Sequence, residues 1–328
     1  ALAGLKVSHA DIQALIDKGY FMTAYQQCVD KGYSDDKAKI LDFFHQQVDT
    51  LEKGIPEGAK VTEIKAGRFP SEKIEMPDGI TVFRKNLALL KGNEMDPRLP
   101  LVDELNFKIS DYLKLNLVPP TEARSSRVYQ LFVSEARTGK QLGYPSWAII
   151  GKQHPRLSKE YPELGKLAVW DVLTGQEDRM APDNWLVSES GNLIAIDNSE
   201  SLREDSAFYP VKNNGDVNIR FSDLGHEQFR RFFTNPDTLE KLENVSELAD
   251  QFTSWAKDKG FTDKDVEDFS ETLIENSSGL LEEAKSISGT EEEKQQYSQM
   301  LEAVDQNTLK ARYKHFSGQP AAQTSSCK

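Results

Sequence analysis

Three oxygen-bearing side chains lie around a short hairpin in DVLTGQEDRMAPDNWLVSESGNLIAIDNS, residues 171–199. Asp178 comes first, Asn184 directly precedes the strand-like stretch WLV, and Asp197 ends the apolar run LIAI. Mg²⁺ prefers oxygen ligands, usually one or two carboxylates together with phosphate and water. Phosphoryl transfer needs such metal ions and a residue that orients the attacking hydroxyl. The spacing therefore predicts that Asp178 receives the hydroxyl proton and that Asn184 and Asp197 share the metal ions.

The composition is typical of a globular chain with a polar surface. The 328 residues are 38% hydrophobic and 28% charged, which favours a soluble protein with a buried core. No apolar run approaches the roughly 20 residues that cross a bilayer, so no transmembrane segment is predicted. Two widely separated cysteines, Cys28 and Cys327, do not form a disulfide framework, and five scattered histidines do not predict a zinc site.

The net charge of −13 is concentrated in one region of the chain. Residues 237–310 contain 19 acidic and 7 basic side chains, which gives 7 − 19 = −12. Nucleic acid is excluded as an expected partner, because binding it requires clustered lysine and arginine. We interpret the acidic segment as the solvated surface of amphipathic helices.

The elements that must position the three side chains can be predicted from periodicity. Apolar spacing predicts helices within residues 8–53, including one over 35–53, and another helix over 101–117. Residue types that favour strands predict β structure over 61–69, 79–85 and 128–133. A helical segment is therefore followed by a small β-rich region that contains one helix.

The second half of the chain is predicted to be mostly helical apart from the hairpin. A buried helix is expected over 164–173, ahead of the hairpin. Acidic amphipathic helices are expected over 223–234, 238–258, 263–286 and 290–314. The polar residues from 317 onward predict a disordered tail.

Taken in order, four segments resemble phosphoinositide 3/4-kinase-like kinases, most of all the type II phosphatidylinositol 4-kinase group and its bacterial relatives. The segment DRMAPDNWLV…LIAIDNS resembles the catalytic and metal-binding region of that family. Upstream, GITVFRK (79–85) resembles the strand that bears a phosphate-contacting lysine. VDELNFKISDYLKLNLVPPT (102–121) resembles the helix that packs beside that strand, and VYQLFV (128–133) resembles the strand that enters the hinge.

The resemblance implies an α+β protein-kinase-like fold of two lobes, with a small β-rich N-lobe, a helical C-lobe and extra helices at both ends. It covers about residues 60–235. The expected divisions are an N-terminal helical segment (residues 1–55), the N-lobe (56–136), the C-lobe with the active site (137–236), an acidic helical segment (237–316) and the tail (317–328).

The resemblance also implies roles for residues outside the hairpin. A lysine on strand 79–85 would contact the ATP phosphates; the alignment leaves Arg84 and Lys85 open, and we favour Lys85 as the flexible ammonium. The ion-pair partner of this lysine on the next helix would be Glu104 or its neighbour Asp103. Phe132 and Val133 would line the nucleotide site where the chain enters the hinge.

The sequence departs from the family pattern at one metal ligand. The family usually places its asparagine five residues after the catalytic aspartate, but the fifth residue after Asp178 is Asp183 and Asn184 is the sixth. Pro182 can accommodate one extra residue as a bulge. We favour Asn184 because it keeps its place directly before the hairpin strand, and Asp183 is the alternative.

Each motif also has a purely structural interpretation. Asp178-Arg179 by itself is typical of a salt bridge at a turn, and Asp197-Asn198-Ser199 is typical of an Asx turn that ends a strand. Glu104 by itself is typical of a solvated helix residue. The ordered combination of segments favours the functional interpretation over these structural ones.

The predicted activity is an ATP-dependent kinase that uses Mg²⁺ or Mn²⁺ and transfers the γ-phosphoryl group to a hydroxyl. A protein acceptor is favoured over a phosphoinositide, because the segment NSESLREDSAFYP after Asp197 is acidic and would repel an anionic headgroup. The alternatives are a lipid kinase, a kinase-like scaffold and an AMP-transferring enzyme. The predicted location is the cytoplasm, with delivery into a host cell as a bacterial effector as the alternative.

Overall fold

The computed structural model describes residues 4–64, 69–87, 98–143, 164–176, 183–199, 201–202, 236–288 and 290–292. Asp178, Arg179, Pro182, the predicted helix 223–234, most of the predicted helix 290–314 and the tail lie outside these residues. Two compact units are formed, one by residues 1–137 with 186–199 and the other by 138–185 with 200–328. The described residues form helices, a five-stranded antiparallel sheet and a small three-stranded sheet, which confirms the predicted α+β class.

The first unit begins with three helices whose apolar stripes form its N-terminal core. They are α1 (Ala10–Asp17), α2 (Phe21–Lys31) and α3 (Ser34–Lys53). On α3 the buried apolar residues recur at helical spacing, as the sequence predicts: Ile40, Phe44, Val48 and Leu51. Gly32 ends α2 in the left-handed conformation, with φ 70°, which a glycine adopts without the steric penalty of a side chain.

A five-stranded antiparallel sheet follows in the same unit. Its strands are β1 (Lys60–Ile64), β2 (Ser71–Glu75), β3 (Thr81–Asn86), β4 (Thr121–Arg124) and β5 (Arg127–Leu131). The strand order is β1-β2-β3-β5-β4. β3 therefore lies in the middle of the sheet, paired with β2 on one side and with β5 on the other.

Strand alternation gives this sheet two faces with different neighbours. Cross-strand partners on the face that we call the lysine face include Lys85, Val128 and Ala123. Cross-strand partners on the opposite face, which we call the α3 face, include Arg84, Tyr129 and Glu122. Because the side-chain period of a strand is two residues, neighbours in sequence such as Arg84 and Lys85 point to opposite faces.

The α3 face contacts helix α3 through a stripe of polar pairs. His45 Nδ1 lies 2.7 Å from Glu122 Oε2, and Arg124 donates to Asp49 Oδ1 at 2.9 Å. One helical turn further, the hydroxyl of Tyr129 donates to Glu52. The helix positions 45, 49 and 52 share one side of α3, so this side follows strands β4 and β5.

The lysine face packs against helix α4 (Arg98–Tyr112). A small apolar cluster joins Leu87, Leu99 and Val128, and Phe69 packs against it. Helix α4 ends where the hydroxyl of Ser110 accepts hydrogen bonds from the backbone N–H groups of Leu117 and Val118. α4 ends at residue 112, earlier than the predicted limit of 117.

A second sheet of three strands has the order β6-β7-β8, with β6 (Ala136–Thr138), β7 (Trp185–Ser188) and β8 (Leu193–Ala195). β7 and β8 are the predicted hairpin, and Gly191 at its turn has φ 82°. Gly139 lies so close to the ring of Trp185 that a Cβ atom there would come within 2.2 Å of it. A larger residue at 139 would therefore displace the indole.

The second unit contains four helices in the ranges described. Its helices are α5 (Leu164–Thr174), α6 (Pro236–Glu243), α7 (Val245–Asp258) and α8 (Asp263–Ser288). A single helix predicted over 238–258 is divided into α6 and α7 at Asn244. Asn276 on α8 donates to the carbonyl of Leu173 at 3.2 Å, which fastens α8 to the end of α5. None of the helices in the described ranges is long and apolar enough to span a bilayer.

Candidate functional site

Strand β3 presents two neighbouring cations to two different environments. Thr81, Val82 and Phe83 are residue types that favour strands, and they place Arg84 and Lys85 at the end of the strand. Arg84 points to the α3 face, where its guanidinium lies 2.6 Å from Glu72 on β2. Lys85 is 8% exposed on the lysine face. Arg84 therefore forms a cross-strand ion pair, and Lys85 is the cation at the buried position.

Lys85 lies between two carboxylates. Its Nζ donates to Asp197 Oδ1 at 2.7 Å and lies 3.9 Å from Asp103 Oδ2. The Asp103 side chain is 5% exposed, whereas that of Asp197 is 42% exposed. The more exposed Asp197 carboxylate is the one that a cation from solvent reaches.

Asp197 is directed by the strand that precedes it. The residues of β8 are fully buried, and the backbone N–H of Ala195 donates to the carbonyl of Leu117 at 2.8 Å. Asp197 itself has φ 53°, a left-handed conformation in which Asp is found more often than most residues. This turn of the backbone ends the strand and brings the Asp197 carboxylate to Lys85, which is 112 positions away in sequence.

The segment after Asp197 is held by helix α4. The backbone N–H of Asn198 donates to Asp103 Oδ1 at 3.1 Å, and the side chain of Asn106 donates to the carbonyl of Asn198 at 3.2 Å. The Asn198 side chain donates in turn to the carbonyl of Ala195 at 3.2 Å. Asp103 thus contacts both the lysine and the backbone that carries Asp197, so it orients the two groups together.

Two adjacent acids on α4 have different contacts. Asp103 faces Lys85, whereas Glu104 Oε2 accepts a hydrogen bond from the backbone N–H of Ala123 on β4 at 2.9 Å. Successive residues on a helix point about 100° apart, so one carboxylate reaches the lysine and the next reaches the strand. Of the two acids that the sequence left open, the structure brings Asp103 to Lys85.

The predicted hinge residues follow directly after β5. Phe132 donates its backbone N–H to the carbonyl of Thr81 at 3.0 Å, which extends the pairing of β5 with β3 by one bond. The ammonium of Lys73 lies 5.1 Å from the centre of the Phe132 ring. Val133 is buried, and its carbonyl accepts a weak hydrogen bond from Ala136 at 3.4 Å. Both residues belong to the first unit, as do Lys85 and Asp197.

Asn184 and Asp183 belong to the second unit and differ in exposure. Asn184 is buried directly before β7, whereas Asp183 is exposed and its carboxylate lies 3.3 Å from the ammonium of Lys140. Asp178 lies outside the described residues. Of the two alternatives for the metal ligand, the buried polar side chain next to the strand is therefore that of Asn184.

The sequence prediction assigned no role to Asn106 or Asn198, and it offered Asp103 only as an alternative to Glu104. Asp103 and Asn106 are three positions apart on α4, on one side of the helix, and both are buried. A pair of polar residues at helical spacing within an otherwise apolar stripe is the signal that could have identified them. Asn198 belongs to the predicted Asx turn. Its side chain donates to the carbonyl of Ala195, only three residues earlier in the sequence.

The group can bind an anion and a divalent cation side by side. The Lys85 ammonium suits phosphate oxygens, and the Asp197 carboxylate is the hard oxygen ligand that Mg²⁺ or Mn²⁺ prefers. Within the described ranges no cluster of three or more histidine, cysteine, aspartate or glutamate side chains is arranged to hold a metal ion by itself. A metal ion here would rely on phosphate or water for its remaining ligands, as Mg²⁺ does in nucleotide sites.

No protein-family model matches the chain, and no curated protein sequence is significantly similar to it.

Proposed function

We propose that the chain is an ATP-dependent phosphotransferase with a protein-kinase-like fold, which transfers the γ-phosphoryl group to a hydroxyl in the presence of Mg²⁺ or Mn²⁺. The observation that carries the proposal is the group formed by Lys85, Asp103 and Asp197. In protein kinases a lysine on the third strand pairs with an acid on the following helix, and a separate aspartate holds the metal ion.

The order of the elements supports the same proposal. Three antiparallel strands lead to a helix, and two more strands lead to a hinge-like segment. Lys85 is on the third strand, Asp103 is on the helix that follows, and Phe132 and Val133 come directly after the fifth strand. This order of a lysine, an acid and a later aspartate is similar to the order in which a kinase uses such residues, which supports the proposal.

The proposed roles follow from the chemistry of each side chain. Lys85 contacts the α- and β-phosphates, and Asp103 holds the ammonium in place. Asp197 and Asn184 are metal ligands, and bound metal ions would neutralise the charge that develops on the phosphoryl oxygens. Asp178 orients the acceptor hydroxyl and takes up its proton. Phe132 and Val133 contact the nucleobase.

The proposed acceptor is a protein hydroxyl. The residues after Asp197, NSESLREDSAFYP, contain three acids against one arginine. Anionic lipid headgroups are attracted by lysine and arginine next to a membrane surface, and this segment has the opposite charge. A flexible peptide substrate with basic residues fits such a segment better than a phosphoinositide does.

The test uses ATP labelled at the γ- or the α-phosphate, Mg²⁺ or Mn²⁺, generic protein substrates and phosphoinositide vesicles. We expect γ-label on protein, and we expect Asp197→Ala to reduce transfer by about 100-fold or more while the variant remains folded. Asp49→Ala, which changes an exposed acid on α3, is the control and should keep wild-type transfer. Label from the α-phosphate would indicate AMP transfer, and label on vesicles would indicate a lipid kinase.

A second arm of the experiment tests the metal ligand in the second unit. Asn184→Ala should lose transfer to a similar extent as Asp197→Ala, whereas Asp183→Ala should stay within about 3-fold of the wild type, because Asp183 is exposed and paired with Lys140. The reverse result would assign the ligand to Asp183. Wild-type rates in the Asp197 and Asn184 variants would reject the proposed site, and a wild-type chain that transfers no label would reject the kinase proposal in favour of a scaffold.

A further inference from the structure

Helix α2 receives its N-terminal cap from a residue far away in the sequence. The cap position, Tyr20, makes no side-chain hydrogen bond to the first turn of the helix. The backbone N–H of Thr23 donates instead to Glu135 Oε1 at 3.1 Å, and the Thr23 hydroxyl donates to the same oxygen at 3.0 Å. A carboxylate at this end of a helix satisfies an unpaired N–H group and interacts favourably with the helix dipole.

Glu135 lies in the segment that follows the predicted hinge residues. It is only 5% exposed, and burial raises the pKa of its carboxyl above the usual 4.5. Its backbone carbonyl accepts a hydrogen bond from the N–H of Glu189, in the turn of the β7–β8 hairpin, at 2.9 Å. The side chain of Glu135 is therefore attached to α2 and its backbone to the hairpin.

The contacts of α2 on either side of Thr23 reach the same region of the first unit. The hydroxyl of Tyr20 donates to Glu189 at 2.9 Å, and the side chain of Gln26 donates to the carbonyl of Asn116 at 3.0 Å. Gln26 also accepts a bond from Asn192 at 3.3 Å. Positions 20, 23 and 26 lie three apart and share one side of the helix. This side of α2 joins the end of α4, the hinge segment and the hairpin that leads to Asp197.

We infer that Glu135 is a positioning residue that couples the N-terminal helices to the nucleotide site. When α2 is docked, its first turn holds Glu135 and thereby fixes the backbone of residues 132–135. This inference rests on the proposed function, since it is in that proposal that Phe132 and Val133 contact the nucleobase. Loosening of the cap lowers nucleotide affinity without changing any residue that touches the phosphates or the metal ion.

The experiment changes the cap from both sides. Thr23→Val removes the hydroxyl donor and keeps the shape of the side chain, and Glu135→Gln removes the charge at nearly constant size. Thr23→Ser keeps both donors and serves as the conservative control. Tyr20→Phe removes an exposed hydrogen bond from the same side of α2 and is the matched control for loss of a polar contact. Nucleotide affinity, KM for ATP, kcat and amide hydrogen exchange are measured for each full-length variant.

Coupling predicts a KM effect with little change in kcat. We expect Thr23→Val and Glu135→Gln to raise Kd and KM for ATP by about 5-fold or more, within the usual range of coupling between sites, with kcat within about 2-fold. Thr23→Ser should restore wild-type values, and Tyr20→Phe should stay close to them. Exchange should become faster both in the first turn of α2 and at residues 132–135.

Two results would overturn the inference. One is unchanged nucleotide affinity in folded Thr23→Val and Glu135→Gln proteins. The other is faster exchange in α2 with unchanged exchange at 132–135, which would make the cap a local structural feature only. A wild-type chain that binds no nucleotide at all rejects the proposed function instead, and the exchange of residues 132–135 in the absence of ATP then decides whether Glu135 couples the two segments.

Discussion

Charged side chains on the two faces of the five-stranded sheet have different kinds of partners. On the α3 face charged side chains pair with side chains of opposite charge, such as Arg84 with Glu72 and Arg124 with Asp49. On the lysine face a single buried lysine lies between Asp103 and Asp197. The pairs of the α3 face link neighbouring strands or attach helix α3, whereas in the Lys85 group the Asp197 carboxylate is 42% exposed and within reach of a ligand from solvent.

Burial strengthens this contrast. The Arg84–Glu72 and Arg124–Asp49 pairs of the α3 face are partly open to water, where each contributes about 1 kcal/mol or less. The Asp103–Lys85 pair is nearly closed to water, where taking charged groups out of solvent costs several kcal/mol unless they are well paired. A protein that needed only stability would place apolar residues there. The buried charges of Lys85 and Asp103 therefore favour a functional interpretation of that group.

The neighbouring cations on β3 provide the largest expected effect. Lys85→Met removes the ammonium from the lysine face, and we expect phosphotransfer to fall by about 100-fold or more, as for other groups that act directly on the transferred phosphate. Arg84→Met removes an adjacent cation from the α3 face, and activity should stay within about 3-fold. The measurement is kcat/KM for ATP at a fixed level of protein substrate.

The Lys85 and Arg84 variants test the contrast itself. Equal losses in the two would mean that the faces are not functionally different. A larger loss in Arg84→Met would move the phosphate contact to the arginine. Circular dichroism and thermal unfolding of both variants serve as the control for folding.

The adjacent acids on α4 should show a smaller and more specific difference. Asp103→Asn keeps an acceptor for the N–H of Asn198 but loses the charge next to Lys85, so we expect kcat/KM to fall by about 10-fold, mostly through orientation of the lysine. Glu104→Gln keeps the carbonyl acceptor for Ala123, and its activity should stay within about 2-fold of the wild type. Glu104→Ala should lower stability by about 1–3 kcal/mol, because it leaves a buried N–H without its acceptor.

The comparison of Asp103 and Glu104 variants can contradict the assignment in one clear way. If Glu104→Gln loses activity and Asp103→Asn does not, the acid that serves Lys85 is Glu104. Full activity in both the Asp103→Asn and the Glu104→Gln protein would show that Lys85 needs no acid on α4.

The elements that sequence reasoning predicted well are those with a strong local pattern. Helix α3 was expected over 35–53 and occupies Ser34–Lys53, because its apolar residues recur at helical spacing. The strands β2 and β4 were missed. The sequence of β2, SEKIE, has one apolar residue that is buried, Ile74, and β4 is only four residues long. Both are strands because of their neighbours in the sheet, which a local pattern does not show.

The residues of the candidate site were predicted unevenly for a similar reason. The end of an apolar strand indicated Asp197, but its pairing with Lys85 joins positions 112 residues apart and was not predicted. The resemblance to a family implied an acid on α4 as the partner of the lysine and a metal ion as the partner of Asp197. Alternation along β3 predicted that Arg84 and Lys85 diverge, without predicting which face is which. Helix geometry likewise did not decide whether Asp103 or Glu104 contacts Lys85, because this choice depends on the rotation of α4 about its axis relative to the sheet.

The last and smallest effect concerns the helix that covers the α3 face. Asp36, in the first turn of α3, accepts hydrogen bonds from the backbone N–H groups of Ser8 at 2.7 Å and His9 at 3.0 Å, and from the His9 ring at 2.7 Å. Burial tends to raise the pKa of Asp36, but the hydrogen bonds from Ser8 and His9 outweigh burial and lower the pKa to about 2.

The sign of the pH dependence follows from this lowered pKa. The ionised carboxylate stabilises the folded chain above the unfolded pKa of 3.8, and this contribution is lost as the pH falls from 3.8 towards 2. Asp36→Asn should therefore reduce the free energy of unfolding by about 1–3 kcal/mol at pH 6, and by progressively less below pH 4. Urea unfolding of both proteins between pH 6 and pH 3 measures the difference.

Asp49→Asn, which changes an exposed acid on the same helix, is the control and should change stability by less than about 1 kcal/mol at every pH. A destabilisation by Asp36→Asn that stays constant down to pH 3 would mean that shape rather than charge attaches residues 8 and 9 to α3. Phosphotransfer by the folded Asp36→Asn protein at pH 7 should match the wild type, because the carboxylate stabilises the covered side of the sheet and does not contribute to the lysine face.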